Sequence, residues 1–419
     1  MIQLQNYDGY GPLPRRRGSG SWLTHTIVGV LAAGLAVAVV LGFFSPGSGG
    51  SQPGIGAVPA PPASAAPLAS GQQDIVTKIK PGLVLINTTL QYESEVAAGT
   101  GMVLNTDGLV LTNNHVIEDS TKITATVIST GKTYQAKVVG YDQTGDVALI
   151  QLQNASGLTT VPIGNSSSVK AGNAVVAMGN AEGQGKITAT AGHITALNQT
   201  ITASDEAAST STETLHGMIQ TNANIVPGDS GGALASSVGV IGMDTAGNDS
   251  GDQQGPAAGF AIPVNTALSV ARQIAAGHAS SVITIGYPPF VGVFIASGSS
   301  SNPQTQAQQQ GQQNGGFGGS GSIPGCYNSN ADVTVPSDIA PVSSGTLIDG
   351  TICGSPAAAA DMTGGAVITA VNGQAVGSPD DFASIMKRFR PGDTISVTWV
   401  SPSGQRTTSR LHLTAGPPQ

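Results

Sequence analysis

The sequence predicts a chain built mainly from antiparallel β-sheet, folded into barrels or sandwiches. Short runs rich in β-branched residues alternate with turn residues, and no helical pattern separates them. Many short strands at such spacing are typical of antiparallel folds rather than of alternating strands and helices. A Thr-Asp-Gly turn at 106–108 between two runs predicts a hairpin. The runs are 84–87, 101–104, 109–112, 123–128, 136–141, 147–152 and 174–178.

Length and composition limit the possible functions. The 419 residues are too many for one ordinary domain, so we expect two or three. The net charge is -8, and the only basic cluster is at 15–17, which argues against a nucleic-acid partner. The two cysteines, Cys326 and Cys353, lack CxxC spacing and neighbouring histidines. We therefore expect no zinc site and no other metal or cofactor.

The N-terminal region carries a candidate membrane anchor. Residues 22–44 contain no Asp, Glu, Lys or Arg, and as a helix they would extend about 34 Å, enough to cross a bilayer. The arginines before this run place residues 1–21 in the cytoplasm and the rest outside. A cleaved signal peptide is the alternative, and it would give a secreted protein. The apolar run exceeds the usual 7–15 residues of a signal peptide, and the nearest Ala-x-Ala at 63–65 is distant, so we favour an uncleaved anchor.

Composition also divides the exported part of the chain. Residues 45–71 are rich in Pro, Gly, Ala and Ser and form a linker. The alternation of short apolar runs and turn residues predicts one folded domain over 72–280 and another over 281–417. The second is interrupted by a Gln/Gly-rich insertion at 297–322, which is too polar to fold and is expected to be disordered. In an exported chain, Cys326 and Cys353 are expected to form a disulfide; two unpaired buried thiols are the alternative.

Two helices are predicted within the folded regions. Residues 263–277 carry apolar residues at helical spacing and end the first folded region. Residues 379–389 form the second helix, with Ser378 as its N-cap and Pro379 at its first position.

A serine among three glycines is the first candidate for chemistry. Gly228-Asp229-Ser230-Gly231-Gly232 lies between two apolar runs, and glycine permits the positive φ that a tight turn requires. In such a turn Ser230 can be presented as a nucleophile. The amides of Gly228 and Ser230 are then candidate donors to a developing oxyanion. An ordinary Gly/Ser loop is the alternative reading of this stretch alone.

Two titratable residues upstream complete the arrangement. His115 and Asp146 each stand at the edge of an apolar strand, 31 residues apart, and Ser230 follows 84 residues after Asp146. Histidine is a suitable base for a serine hydroxyl, and a carboxylate fixes its tautomer. Singly, each residue is more typically structural; together they predict a Ser-His-Asp triad. Asp146 is preferred to Asp142 because an apolar run follows it.

These motifs resemble those of trypsin-like serine endopeptidases of the HtrA/Deg branch, nearest to the membrane-anchored or secreted PepA-like proteases of actinobacteria. The resemblance runs from residue 72 to the C-terminus. It implies a chymotrypsin-like double β-barrel and cleavage of unfolded or misfolded envelope proteins through an acyl-enzyme, in a possible homotrimer. Ser230 would be the nucleophile, His115 the general base and then acid, and Asp146 the orienting carboxylate. The Gly228 and Ser230 amides would form the oxyanion hole.

The resemblance also suggests where specificity is set. The S1 pocket would be lined by residues before the nucleophile turn and in the following strand: Asn224, Ile225, Ile241 and Met243. No acidic residue stands six positions before Ser230, so we expect small or medium aliphatic P1 residues rather than Lys or Arg. Core packing is the alternative for Ile241 and Met243. Asp229 stands where many HtrA proteins have asparagine, and we expect its side chain to form hydrogen bonds within its own loop rather than to take part in the chemistry. The sequence contains no Ile-Val-Gly-Gly stretch that could be freed as a new N-terminus, so we do not expect zymogen activation.

The C-terminal region resembles a PDZ domain. Phe290, Val291, Gly292 and Val293 match its carboxylate-binding loop, which would hold peptide C-termini beside an added strand. The region departs from the PDZ domains of HtrA proteins in two places. Gly364-Gly365-Ala366 stands where a Gly-Asp step is usual, and the Gln/Gly insertion separates the loop from the rest of the domain. A plain apolar strand is the alternative for the loop.

Two other functions compete with proteolysis. The serine turn also fits the G-x-S-x-G pattern of α/β-hydrolase esterases, but only His278 and His412 follow it and strand texture resumes after Gly232. A catalytically silent PDZ-bearing chaperone or sensor is the second alternative; it leaves the three triad residues without a role.

Overall fold

The computed structural model describes residues 68–90, 95–204, 212–247, 258–295, 300–313, 326–328, 333 and 336–418. The predicted anchor at 22–44, the Ala-x-Ala at 63–65 and most of the predicted linker lie outside these residues. Within them, no helix has the length and apolar character needed to span a membrane.

The first barrel contains six antiparallel strands. Its hydrogen-bonded order is β5-β4-β1-β2-β3-β6, and pairing of β5 with β6 closes it. The predicted hairpin joins β2 to β3, where Met102 pairs with Leu111. The strands are β1 (Leu83–Leu90), β2 (Glu95–Val103), β3 (Leu109–Thr112), β4 (Lys122–Val127), β5 (Thr133–Asp142) and β6 (Val147–Leu152).

The second barrel is closed by six further strands in the order β10-β11-β12-β9-β8-β7. Small residues predominate in β7 and β10, which pair between Ala233 and Met178. The strands are β7 (Ala174–Gly179), β8 (Thr188–Ser204), β9 (Thr212–Thr221), β10 (Ala233–Ser236), β11 (Gly239–Gly247) and β12 (Gly259–Pro263). Two antiparallel barrels are the predicted architecture of this part of the chain.

Strand alternation explains how each barrel fills its interior. β4 and the first part of β5 alternate exposed and buried residues, as expected where one face meets the core. One buried cluster, including Ile86, Val110 and Ile150, belongs to the first barrel. A second, including Val175, Ile219 and Ile241, belongs to the second barrel. The largest cluster combines residues of both barrels, such as Leu111 and Met178, and therefore joins them.

Two helices pack on this joint core. α1 (Ser70–Ile79) buries Ile75, Val76 and Ile79 at i, i+1 and i+4. The sequence prediction missed this helix because it assigned strand texture from residue 72 onward, and the predicted linker extends two residues into it. α2 (Val264–Ala275) confirms the helix predicted at 263–277 and buries its apolar face.

The C-terminal region forms a sheet separate from the two barrels, in the order β15-β16-β17-β19-β20, with β18 paired to β17. β13 instead joins the first barrel beside β5, and β14 pairs with β21. The strands are β13 (Ile283–Ile285), β14 (Pro289–Phe290), β15 (Val293–Ile295), β16 (Thr346–Thr351), β17 (Val367–Val371), β18 (Gln374–Ala375), β19 (Thr394–Val400), β20 (Arg406–His412) and β21 (Thr414–Ala415).

The prediction of disorder at 297–322 is wrong for α3 (Pro303–Gln313). Gln306 is fully buried and its side-chain amide completes the edge of β16. Its Nε2 donates to the carbonyls of Ser300 and Gly345, and its Oε1 accepts from the Leu347 amide, all at 2.8–2.9 Å. Composition alone could not reveal that one glutamine would replace a strand partner here.

Two further predictions in this region are confirmed. Cys326 and Cys353 form a disulfide. The predicted second helix is α5 (Pro379–Met386), and the hydroxyl of its N-cap Ser378 accepts a hydrogen bond from the Asp381 amide at 3.2 Å. A short helix, α4 (Pro356–Ala359), begins three residues after Cys353.

Candidate active site

The three predicted catalytic residues come from three separate loops. His115 follows β3, Asp146 immediately precedes β6, and Ser230 lies in the turn between β9 and β10. β3 and β6 are paired, with Thr112 opposite Ala148, so His115 and Asp146 are placed at one end of the first barrel. Ser230 is supplied by the second barrel. The fold thus brings together residues that lie far apart in the sequence.

Asp146 holds the imidazole of His115. Nδ1 of His115 lies 3.0 Å from both carboxylate oxygens, and the His115 amide donates to Oδ1 at 3.1 Å. Asp146 is 1% exposed, and the side-chain Nδ2 of Asn113 donates to its Oδ2 at 2.8 Å. Such donors stabilise an ionised carboxylate in a buried position. Nδ1 protonated towards Asp146 leaves Nε2 as the basic nitrogen.

The competing acid, Asp142, has a different role. Its Oδ1 accepts hydrogen bonds from the Thr144 hydroxyl at 2.9 Å and the Gly145 amide at 3.0 Å. These bonds stabilise the turn that leads to Asp146. The geometry therefore favours Asp146 as the partner of His115.

Thr245 connects the acid to the serine. Its hydroxyl donates to Oδ2 of Asp146, and its carbonyl accepts a hydrogen bond from Oγ of Ser230 at 3.0 Å. Thr245 is 5% exposed and lies on β11. The sequence reasoning missed this residue because a threonine within a strand carries no distinguishing pattern.

Thr100 fixes the nucleophile turn from the first barrel. Its hydroxyl donates to the Gly228 carbonyl and accepts from the Asn180 amide, both at 2.8 Å. Its backbone amide donates to the Ser230 carbonyl, also at 2.8 Å. Fully buried, Thr100 joins the two barrels at the turn. Sequence reasoning missed it for the same reason as Thr245.

The backbone of the turn itself depends on glycine. Gly228 has a φ of 91°, and a Cβ there would collide with the Asn180 carbonyl, so only glycine fits. The Asp229 amide donates to the Val226 carbonyl, and the Gly232 amide donates to the Asp229 carbonyl. Among the described residues, the amides of Gly228 and Ser230 donate to no protein acceptor. These two N–H groups are available to a substrate.

Two buried acids lie beside this turn. Asp229 is 5% exposed, and its burial raises the pKa of its carboxyl to about 6. The hydrogen bond from the Val226 amide lowers this pKa and so opposes part of the effect of burial. Asp244 is fully buried on β11. Burial, followed by the charge of Asp229, raises the pKa of Asp244 well above its ordinary value, and the Met178 amide opposes this only in part.

The residues predicted to line S1 are mostly in the core. Ile225 and Ile241 pack in the interior of the second barrel, and Met243 packs in the cluster that joins the barrels. Asn224 alone is exposed. This conformation fits the packing alternative for the three apolar residues, and their contribution to S1 stays a prediction.

The predicted carboxylate loop lies against α4. The Gly292 carbonyl accepts from the Ser355 hydroxyl at 3.1 Å and the Ile352 amide at 3.0 Å. Gly292 has a φ of 79°, which favours glycine. Val291 is buried, while Phe290 belongs to β14 and Val293 to β15. A turn between two short strands, rather than one continuous strand, therefore carries these residues.

The chain matches known proteases in sequence. Residues 99–243 match the trypsin-like peptidase domain. Serine protease PepD of Mycobacterium tuberculosis is 31% identical over 404 residues, covering 92% of this chain and 76% of that protein. The periplasmic pH-dependent serine endoprotease DegQ of Escherichia coli is 39% identical over 178 residues, covering 42% of this chain and 37% of that protein. Among solved structures, HtrA-type protease AlgW with a tripeptide has a TM-score of 0.42 at 25% identity, covering 83% of this chain and 98% of that one.

Fold, site and sequence together define a trypsin-like serine protease. The two closed barrels, with a histidine, an aspartate and a serine between them, are the arrangement on which this class depends. The chain belongs to the HtrA/Deg-type serine proteases and is a serine endopeptidase.

Proposed function

We propose that Ser230, His115 and Asp146 form the catalytic triad of this endopeptidase. The observation that carries the proposal is the 3.0 Å contact of His115 Nδ1 with Asp146, connected through Thr245 to the Ser230 hydroxyl. Asp146 fixes the tautomer in which Nε2 is the base. Ser230 leaves the Thr245 carbonyl, gives its proton to His115 and attacks the scissile carbonyl. His115 then protonates the leaving amine, and water hydrolyses the acyl-enzyme by the same route.

The oxyanion of each tetrahedral intermediate is assigned to the amides of Gly228 and Ser230. Both donors belong to a turn held by Thr100 and by hydrogen bonds within the turn, so they need little rearrangement when charge develops. Removing one such donor costs roughly 3–4 kcal/mol of transition-state stabilisation.

Unfolded or misfolded proteins of the envelope are the proposed substrates. Relatives of this chain include periplasmic endoproteases such as DegP of Escherichia coli, which is 36% identical over 188 residues but covered for only 37% of its length. The Cys326–Cys353 disulfide supports an oxidising compartment. The predicted helix at 22–44 would hold the protease outside the membrane. A homotrimer is carried over from the family resemblance alone.

The sheet formed by β15–β20, with α4 and α5, is proposed to be a PDZ domain that recruits peptide C-termini or regulates cleavage. The loop from Phe290 to Val293 would hold the terminal carboxylate. Support comes from the turn at Gly292 before an antiparallel strand, the arrangement that strand addition requires. For the P1 residue we propose small or medium aliphatic side chains.

The experiment uses purified residues 68–419 and a fluorophosphonate probe beside unfolded casein. We expect labelling at Ser230 and casein cleavage, both lost in Ser230→Ala and in His115→Ala. Ser236, the last residue of β10, gives a matched Ser236→Ala control that should keep both activities. Labelling with ester turnover but intact casein would indicate an esterase, and casein cleavage that survives Ser230→Ala would refute the triad.

A further inference from the structure

Two carboxyl groups are buried beneath the nucleophile turn without adequate partners. Both oxygens of Asp244 and Oδ1 of Asp229 accept no well-formed hydrogen bond in the described part of the chain. Oδ2 of Asp229 accepts from the Val226 amide at 3.1 Å. The Met178 amide approaches the Asp244 carboxyl and opposes its protonation in part, but it forms no well-aligned hydrogen bond with either oxygen. The proposed mechanism uses neither residue. Unpaired carboxylates in a dry interior are strongly unfavourable, so the pair requires an explanation.

The backbone ties both residues to the turn. The Asp244 carbonyl accepts from the Gly231 amide at 2.8 Å, and the Asp244 amide donates to the Gly232 carbonyl at 3.0 Å. Asp229 stands between Gly228 and Ser230. Any force between the two side chains therefore acts directly on the turn that carries the nucleophile and the oxyanion donors.

Among the described residues, no buried cation compensates these carboxyls. α1 and α2 also contact β11, but their charged residues, Asp74, Lys78 and Arg272, are exposed. β7, β10 and β12, which lie beside or opposite this part of β11, contain no charged residue. On the β7 side, Gly179 approaches so closely that a Cβ would lie 2.5 Å from Cα of Asp229. Glu182, on the neighbouring 3₁₀ turn, is exposed. His115 and Asp146 lie on the far side of Thr245, whose hydroxyl contacts Asp146. Among the charges acting on Asp244, that of Asp229 is the one that raises its proton affinity.

We propose that Asp244 is a positioning residue that works as a neutral carboxylic acid, so that Asp229 and Asp244 together retain one proton at neutral pH. Two carboxyls that cannot both ionise titrate as a unit in two steps. The first proton leaves at mildly acidic pH, and the second is retained to higher pH. This inference rests on the proposed role of Ser230 only for its effect on activity; the protonation itself does not depend on that role.

Loss of the second proton has a defined consequence. Two negative charges would then face each other beneath the turn, and repulsion between them would displace Asp229 from the β11 side. Because Gly228 and Ser230 flank Asp229, their amides would lose alignment with the oxyanion. Activity should therefore fall as pH rises through this ionisation, independently of the titration of His115.

Asp244→Asn tests this directly, since asparagine preserves the shape and remains neutral at every pH. We expect kcat/KM for a peptide ester to fall about tenfold per pH unit above the second ionisation in wild-type protein. The Asn variant should keep wild-type kcat/KM at pH 7 within about threefold and lose that ionisation. Asp349→Asn is the matched control, because Asp349 is equally buried but lies on β16 of the C-terminal region. It should keep the wild-type profile.

A structural readout keeps the inference testable if activity fails for another reason. In the Ser230→Ala protein at pH 7.5, infrared spectra should contain a carbonyl band of a protonated carboxyl that Asp244→Asn removes and Asp349→Asn retains. If Asp244→Asn does not fold, Asp229→Asn in the same background should alter the position of that band. Absence of a protonated carboxyl band, or an alkaline limb unchanged in Asp244→Asn, overturns the inference. The band without any catalytic activity would leave the proton assignment intact and refute the proposed function instead.

Discussion

Thr245 bonds Asp146 through its side chain while its backbone carbonyl holds the hydroxyl of Ser230. One residue thus contacts both ends of the proposed relay, and it does so from β11 of the second barrel. The carboxylate of Asp146 belongs to the first barrel, so the relay depends on correct docking of the two barrels. Substitutions at Thr245 can separate these contributions, because its hydroxyl is removable and its carbonyl is not.

Thr245→Val should lower kcat about 10- to 100-fold, because a hydrogen bond to a buried charged group contributes roughly 1.5–3 kcal/mol. Valine keeps the size and the β-branch, so packing on β11 changes little. Thr245→Ser retains the hydroxyl and should recover most of the activity. Steady-state kinetics on a peptide ester provide the measurement, and equal activity in the Val and Ser variants would contradict the role of the hydroxyl.

Thr100→Val tests the support of the oxyanion turn. It removes the donor to the Gly228 carbonyl and the acceptor of the Asn180 amide, and so leaves two buried backbone groups without their partner. We expect a loss of about 2–4 kcal/mol in the free energy of unfolding and slower fluorophosphonate labelling. Thermal denaturation and labelling rates measure these effects.

The matched change is Thr88→Val, at another buried threonine of the same barrel whose hydroxyl makes only a long bond of 3.4 Å. It should affect stability less and leave the labelling rate unchanged. A labelling rate that fell equally in both variants would show that Thr100 acts through general stability and not through the turn.

A residue of the site could be predicted from the sequence when it lies in a recognisable motif, and could not when its role comes only from contacts made in the folded structure. His115, Asp146 and Ser230 were identifiable because glycines, strand edges and spacing surround them with a recognisable context. Thr100 and Thr245 were not, because their role arises only when strands from different barrels meet. Strands and α2 followed from periodicity, whereas α1 was missed because its short apolar stripe, Ile75 to Ile79, also reads as a strand.

Asp229→Asn should stabilise the protein at neutral pH. The folded-state pKa of about 6 exceeds the ordinary 3.8, so the folded protein binds the proton more tightly than the unfolded chain. The carboxyl therefore disfavours folding above pH 6, by about 3 kcal/mol at most, and this cost disappears as pH falls from 6 to 4. Asparagine can still accept the Val226 amide hydrogen bond.

Urea denaturation in a Ser230→Ala background measures this effect without autolysis. Asp229→Asn should raise the free energy of unfolding by about 1–3 kcal/mol at pH 7.5 and by much less at pH 4. Asp107→Asn, at an exposed turn position, should have no effect at either pH. A gain that was the same at both pH values would show that charge burial is not its cause.

Gln306→Leu should detach α3 from the edge of β16. The glutamine amide satisfies the Gly345 carbonyl and the Leu347 amide, which lose these partners when a leucine replaces it. Leaving two buried backbone groups unbonded costs about 1–3 kcal/mol each, more than the extra apolar burial of leucine recovers. Hydrogen exchange at Leu347 should accelerate at least tenfold, while Gln308→Leu, on the exposed side of α3, should leave it unchanged. Unaltered protection in Gln306→Leu would mean that α3 does not depend on this amide for its place on the sheet.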